Sequence, residues 1–191
     1  STDYAARILL RKNGLTPDKD VKIIYAGSSP ALMSMLKSGN AAAGLINAPV
    51  IYQAQELGMK PIVNLTELNI PFIFVAVCTT KKVIQHKPDA IMRYLRAYTE
   101  AISIILRDKE TALKIMAKHM KMDNRQWVEA VYDDIARVLQ RTPYMTKPEV
   151  QAVLDAVRNP KGIQVKPEHF FDNSFLQKLD NSGFINALYA R

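Results

Sequence analysis

Through the first eighty residues the apolar positions alternate between two rhythms. Residues 3–13 (DYAARILLRKN) follow a helical spacing and are closed by Gly14, at the place where a helix end favours a left-handed residue. Residues 21–25 (VKIIY) form a β-branched run of strand length, 30–37 (PALMSMLK) return to helical spacing, and Ser38-Gly39 stops them. The alternation then repeats, with a short strand over 43–46, a helix over 49–57 (PVIYQAQEL) with Gly58 behind it, a strand over 61–65, and the longest strand over 72–79 (FIFVAVCT). Strand and helix in turn predict an α/β fold, a mainly parallel sheet covered by helices.

Beyond residue 87 the rhythm becomes helical throughout. Ile91, Leu95, Tyr98, Ile102 and Ile105 recur at spacings of four and three, which places them on one face of a helix starting near Pro88. Further amphipathic helices are predicted over 110–120, over 125–139 with Trp127, Val131, Ile135 and Val138 as the apolar stripe, and over 148–158. Two short helices follow near 173–179 and 184–189, parted by Asp180-Asn181-Ser182-Gly183, and 159–167 (NPKGIQVKP) reads as a linker.

Composition narrows the class. A chain of 191 residues, 48% apolar and 23% charged, suits one large domain or two lobes. No run of eighteen apolar residues occurs, so no membrane-spanning helix is expected. The sequence opens at Ser1 without a charged-then-apolar leader, so any export signal is expected to have been removed or to lie outside it, and the compartment has to be argued indirectly. Cys78, the single cysteine, sits in an apolar run and is expected as a small buried hydrophobe. The net charge of +8 favours anionic partners, but the basic residues are scattered among acids without aromatic interleaving, and no nucleic-acid partner is expected.

Three helix starts in the first part share a scheme. Ser1, Thr2, Asp3 and Tyr4 open the first; Gly27, Ser28 and Ser29 precede Pro30 at the second; Asn47, Ala48 and Pro49 open the third. The last two follow a predicted strand's carboxyl end, the edge at which open α/β sheets bind ligands. Helix N-termini offer N–H groups and partial positive charge to an anion, and Gly27 lets a ligand approach the backbone. Taken singly each reads first as a cap, and their recurrence at one edge is what points to a site. Phe72 is a candidate for stacking on a ligand, or a core aromatic.

Enzyme signatures are missing from the sequence. His86, His119 and His169 stand far apart and form no zinc-binding spacing, so no metal is expected. Asp133 and Asp134 are neighbours on a predicted helix and face different directions, which makes them a poor carboxylate pair. No phosphate-loop, dinucleotide or nucleophile-elbow motif occurs, and HMKMD over 119–123 reads as a helix end. No catalytic residue and no cofactor is expected.

The order of segments resembles a known family. The succession STDYAARILLRKNGLTPDKDVKIIYAG, SSPALMSMLKSGNAAAGLINAP and ELGMKPIVNLTELNIPFIFVAVCTTKKVIQHKPDAIMRYLRAYTEAI is similar to the substrate-binding proteins of ABC importers. The group is the one that takes up nitrate, sulfonates, taurine and thiamine pyrimidine precursors, and the similarity continues to SFLQKLDNSGFINALYAR. It implies a two-lobed periplasmic-binding-protein-like fold of type II that closes like a hinge on a small ligand and presents it to a membrane permease. On that pattern the chain starts where relatives are entering the second lobe: 1–70 is the second α/β lobe, 71–80 the return crossing strand, and 81–191 helices belonging with the first lobe. Family contacts fall at the positions matching Ser1 to Tyr4, Gly27-Ser28 and Asn47 to Pro49. This sequence departs from relatives that carry Gly-Gly before Asn-Pro in the second loop and Ser-Pro-Pro in the third.

The resemblance thus implies a non-catalytic, monomeric, extracytoplasmic solute-binding protein, periplasmic or lipid-anchored. Its partners would be a small anionic or heteroaromatic solute and an ABC permease. Two alternatives keep the fold. One is a pyrimidine-precursor synthase with a pyridoxal cofactor and a cysteine-rich segment, against which stands the single Cys78. The other is the sensing lobe of a signalling protein.

Overall fold

The computed structural model describes residues 2–65, 73, 75–156 and 165–190, which divide into two compact units, Ser1–Ile70 and Pro71–Arg191. In the first unit, α1 (Thr2–Lys12), α2 (Ser29–Lys37) and α3 (Val50–Glu56) occupy the three stretches of helical spacing. Helix α1 ends as its sequence predicts: Gly14 takes φ +74°, and the amides of Gly14 and Leu15 reach back to the carbonyls of Arg11 (3.1 Å) and Leu10 (2.9 Å). Gly44 lies against Leu32 so closely that a Cβ there would stand 2.8 Å from Leu32 Cδ1, which presses the 43–46 segment onto α2.

The predicted sheet does not form among the described residues. Residues 22–26, 43–46, 61–64 and 75–79 are neither helical nor laddered, and the β pairing described amounts to one isolated parallel bridge, Pro17 to Val21. The α/β expectation is therefore not confirmed among the described residues, which are helices joined by extended segments; residues 72 and 74 of the predicted 72–79 strand lie outside them. A strand has no internal hydrogen bonds, and it becomes stable structure only with a neighbour about 4.8 Å away. Its apolar side chains also stay uncovered: Ile62 is 80% exposed and Val75 78%. Cys78 shares this fate and is exposed, not buried as its sequence context suggests.

The second unit is built around α5 (Pro88–Arg107), which packs against α4 (Lys81–His86), α6 (Lys109–Met120), α9 (Ser174–Asn181) and α10 (Phe184–Tyr189). Helix α7 (Arg125–Val138) lies on α6, and α8 (Lys147–Ala156) on a 3-10 turn, Pro167–His169. Asp108 and Asn124 cap α6 and α7 by accepting the amides of Thr111 (3.0 Å) and Trp127 (3.3 Å). The core centres on Leu176, Leu179 and the fully buried Ile185, with Met92, Leu95, Tyr144, Phe184 and Tyr189 packed around them. Burial of each such aliphatic side chain contributes about 1.5–3 kcal/mol.

Two details differ from the apolar spacing. On α5 the most buried positions are Thr99, Ile102 and Ser103; the hydroxyls donate back to Leu95 (2.9 Å) and Glu100 (2.7 Å), so two small polar residues are buried without an unmet bond. On α7 the buried face is Val128, Val131 and Tyr132, while Val138 is 62% exposed. The Tyr132 hydroxyl donates to the Ile105 carbonyl (2.9 Å), and Val131 is the member of the predicted stripe that is fully buried. Among the described residues no helix is long and apolar enough to cross a membrane.

Candidate functional site

The most connected polar cluster of the first unit starts at the first turn of α1. Asp3 and Arg7 are one helical turn apart, and Arg7 Nε donates to Asp3 Oδ1 at 2.9 Å. Arg7 Nη1 reaches Asp18 Oδ2 at 2.8 Å, and Nη2 reaches the Tyr25 hydroxyl at 3.2 Å. The Tyr25 hydroxyl in turn donates to Asp3 Oδ1 at 2.9 Å. The Arg7 side chain is 17% exposed, so one guanidinium meets three partners in a partly desolvated position. Its pKa is driven above the ordinary arginine value, first by the bond with Asp18, then by that with Tyr25. Two carboxylates against one guanidinium leave this cluster one net negative charge.

Two residues beyond Tyr25 the chain turns into α2. Gly27 adopts φ +77°, and Ser28, in extended conformation, accepts the Ala31 amide on its hydroxyl at 3.3 Å while its carbonyl accepts the Leu32 amide at 3.0 Å. Pro30 has no amide hydrogen. The donors left at this helix end, among the described residues, are therefore the amides of Ser28 and Ser29. This is a smaller donor set than a bare helix start would offer to an anion.

The third helix start departs from the scheme. Pro49 stands one position ahead of α3, after a cis Ala48–Pro49 bond, and no side chain caps the helix; the Asn47 carbonyl accepts the Ile51 amide at 3.3 Å instead. Described contacts thus join the first start to the second, through Asp3 and Tyr25, while the Gly44–Leu32 packing holds the segment ahead of α3 against α2. Thr2 is exposed, and Asp3 and Tyr4 are half-buried. Ser1 and Phe72 lie outside the described residues. The first unit also carries a hollow of about 410 Å³ lined by Arg7, Arg11, Gly14, Leu15, Thr16 and Pro17. It lies toward the far end of α1 from Asp3, and Arg7 is the side chain common to both. The bonded cluster beside Gly27 is the better candidate, because its groups are held in place by mutual hydrogen bonds.

Sequence reasoning missed Arg7, Asp18 and Tyr25. The Asp3–Arg7 pair was visible as an acid four residues ahead of a base, but the partners 11 and 18 residues from Arg7 carry no local signal. Among the described residues no group of three or more His, Cys, Asp or Glu could hold a metal ion.

A curated protein of Brachyspira hyodysenteriae, provisionally named as an ABC transporter periplasmic binding protein, is 26% identical over 132 residues, which are 68% of this chain and 37% of that relative. The chain spans well under half the length of that relative. No solved structure matches it. The profile of the NMT1-like family matches residues 1–120, more than half of the sequence, and the chain belongs to that family.

Proposed function

We propose that this chain forms part of an extracytoplasmic solute-binding protein that carries a small molecule to an ABC permease. The observation that supports it is the NMT1-like match over 1–120, together with the ABC-transport name of the Brachyspira hyodysenteriae relative. The fold proposed for the whole protein is two-lobed and periplasmic-binding-protein-like, with 1–70 as the ligand-facing part of one lobe, 71–80 as the return crossing and 81–191 as helices of the other. In this reading Thr2, Asp3, Tyr4, Gly27, Ser28, Asn47, Ala48 and Pro49 form one wall of the cleft, and the solute is a small anion or heteroaromatic such as a sulfonate, nitrate, taurine or a pyrimidine. The two amides at Ser28 and Ser29 suit a single anionic or hydrogen-bond-accepting group, held by helix-end N–H donors.

Full-length protein incubated with nitrate, taurine, an alkanesulfonate or 4-aminopyrimidine, each in large excess, tests the reading by thermal unfolding. A solute at a hundred times its dissociation constant stabilises the folded state by about 2.7 kcal/mol, a shift of several degrees. No shift with any probe, combined with native mass spectrometry that finds no bound molecule, refutes it. A visible absorbance band from a lysine-bound pyridoxal species would favour the synthase alternative instead.

A further inference from the structure

The Arg7 cluster and the Gly27 turn are close neighbours in the chain, and their anchoring is complementary. Tyr25 is pinned through its hydroxyl to Asp3 and Arg7, although it is 70% exposed. Ser28 is pinned by its cap bond to Ala31. Between them lie Ala26 and Gly27; Gly27 is exposed, with nothing within 4 Å of where its Cβ would be, and no ladder runs through residues 22–27. Gly27 is conformationally permissive, and its φ of +77° is a state that a fixed residue on each side has to select.

We infer that Arg7 and Tyr25 are positioning residues, which lock the Gly27-Ser28 loop onto the first turn of α1. The inference rests on the solute-binding reading and assigns a role within that site. Asp3 takes part in the lock through Oδ1, which accepts from both Arg7 and Tyr25, and the Ser28 and Ser29 amides meet the solute. Arg7 is equally committed to its three partners and does not serve as the solute's counter-ion. An exposed ion pair with no such role contributes little, so the distinction is measurable.

The test compares full-length wild type with Tyr25→Phe, Arg7→Lys and Arg7→Ala, by amide hydrogen exchange and by titration with nitrate, taurine and 4-aminopyrimidine. Tyr25→Phe removes two hydrogen bonds and no volume of packing; exchange of the Ala31 and Leu32 amides, which are bonded to Ser28, is expected to quicken about five- to tenfold. The dissociation constant for whichever probe binds wild type should rise by a similar factor, with the urea midpoint of the second unit unchanged. Arg7→Lys is expected to recover part of what Arg7→Ala loses, because an ammonium cannot reach three partners in fixed directions at once. Unchanged exchange in Tyr25→Phe would reduce the cluster to a surface ion pair and overturn the inference. Faster exchange with unchanged affinity would also overturn it, since the role would then be structural only. If wild type binds no probe and carries no molecule, the solute-binding reading itself falls, an outcome separate from the other two.

Discussion

Two substitutions at Ser28 separate its work as a cap from the work of the loop around it. The Ser28 hydroxyl accepts the Ala31 amide at 3.3 Å, the long end of the range for such a bond, so Ser28→Ala is expected to cost about 0.5–1 kcal/mol of stability. Ser28→Asp keeps an acceptor in place and adds a charge that the helix N-terminus favours by about 0.3–1 kcal/mol, so its stability should equal or exceed wild type. The two variants therefore move stability in different directions. For an anion seated on the Ser28 and Ser29 amides they behave differently again. A carboxylate about 5 Å from the bound anion repels it by roughly 1 kcal/mol at the dielectric of water and roughly 3 kcal/mol at an effective value near 20. Affinity for the anion should fall about five- to a hundredfold in Ser28→Asp, while Ser28→Ala, which leaves both amides in place, should lose no more than about threefold. Urea midpoints give the stabilities and isothermal titration gives the affinities. An aspartate variant that binds an anionic solute as tightly as wild type does would show that the α2 start is a cap and nothing more.

The remaining predictions concern the second unit and the extended segments. Ile185, fully buried between α5 and α9, should cost about 2–5 kcal/mol when cut to alanine, and a urea midpoint within error of wild type would contradict that core assignment. The carboxyls of Glu110 and Glu168 are held below the ordinary carboxylate range, each chiefly by a hydrogen bond from Arg125 or Lys147, and those of Asp108 and Asp172 by the amides and hydroxyls of Thr111 and Ser174. Because these pKa values are lowered on folding, their contribution is complete above the unfolded value near about 4 and is lost as pH falls through the folded values. Stability should therefore decline below about pH 4, and a midpoint that stays level from there to about pH 2 would exclude the effect. Cys78 should react with one equivalent of a thiol reagent in the folded chain; reaction only after denaturant is added would mean that the 75–79 segment is covered.

What could be read from the sequence was what the chain decides locally. The amphipathic helices, the Gly14 stop and the Ser28 cap depend on residues within a few positions, and they appear within one or two residues of the predicted bounds. Helix α4, six residues of KKVIQH behind a Thr80 cap, is too short to show a period and was not predicted. The buried face of α7 and the burial of Thr99 and Ser103 depend on contacts with other helices, such as Tyr132 to Ile105 across 27 positions. The candidate site divides in the same way. Its helix starts were legible, because capping chemistry is written in adjacent residues; Arg7, Asp18 and Tyr25 were not, because their meeting is settled only when the 14–25 stretch folds back on α1.

The two units differ in how they fix the positions that matter. In the helical unit backbone bonds close within each helix, and side chains such as Asn173, which both accepts from and donates to the Met145 backbone, need only settle how the elements meet. In the first unit Ile24 and Tyr25 are exposed, and among the described residues the β pairing of the 21–27 segment is the single Pro17–Val21 bridge at its start, so no ladder beyond Val21 sets the height at which it delivers its loop to α2. Something else must set it. Beyond Val21 the Tyr25 hydroxyl, bonded to Asp3 and Arg7 on α1, supplies register by side chains, and it does so two residues before Gly27. If strands elsewhere in a longer polypeptide pair with this segment, the ladder would take over that task and the effect of Tyr25→Phe on the loop would shrink. The size of that effect is accordingly a measure of how far the first unit by itself fixes the Gly27 turn.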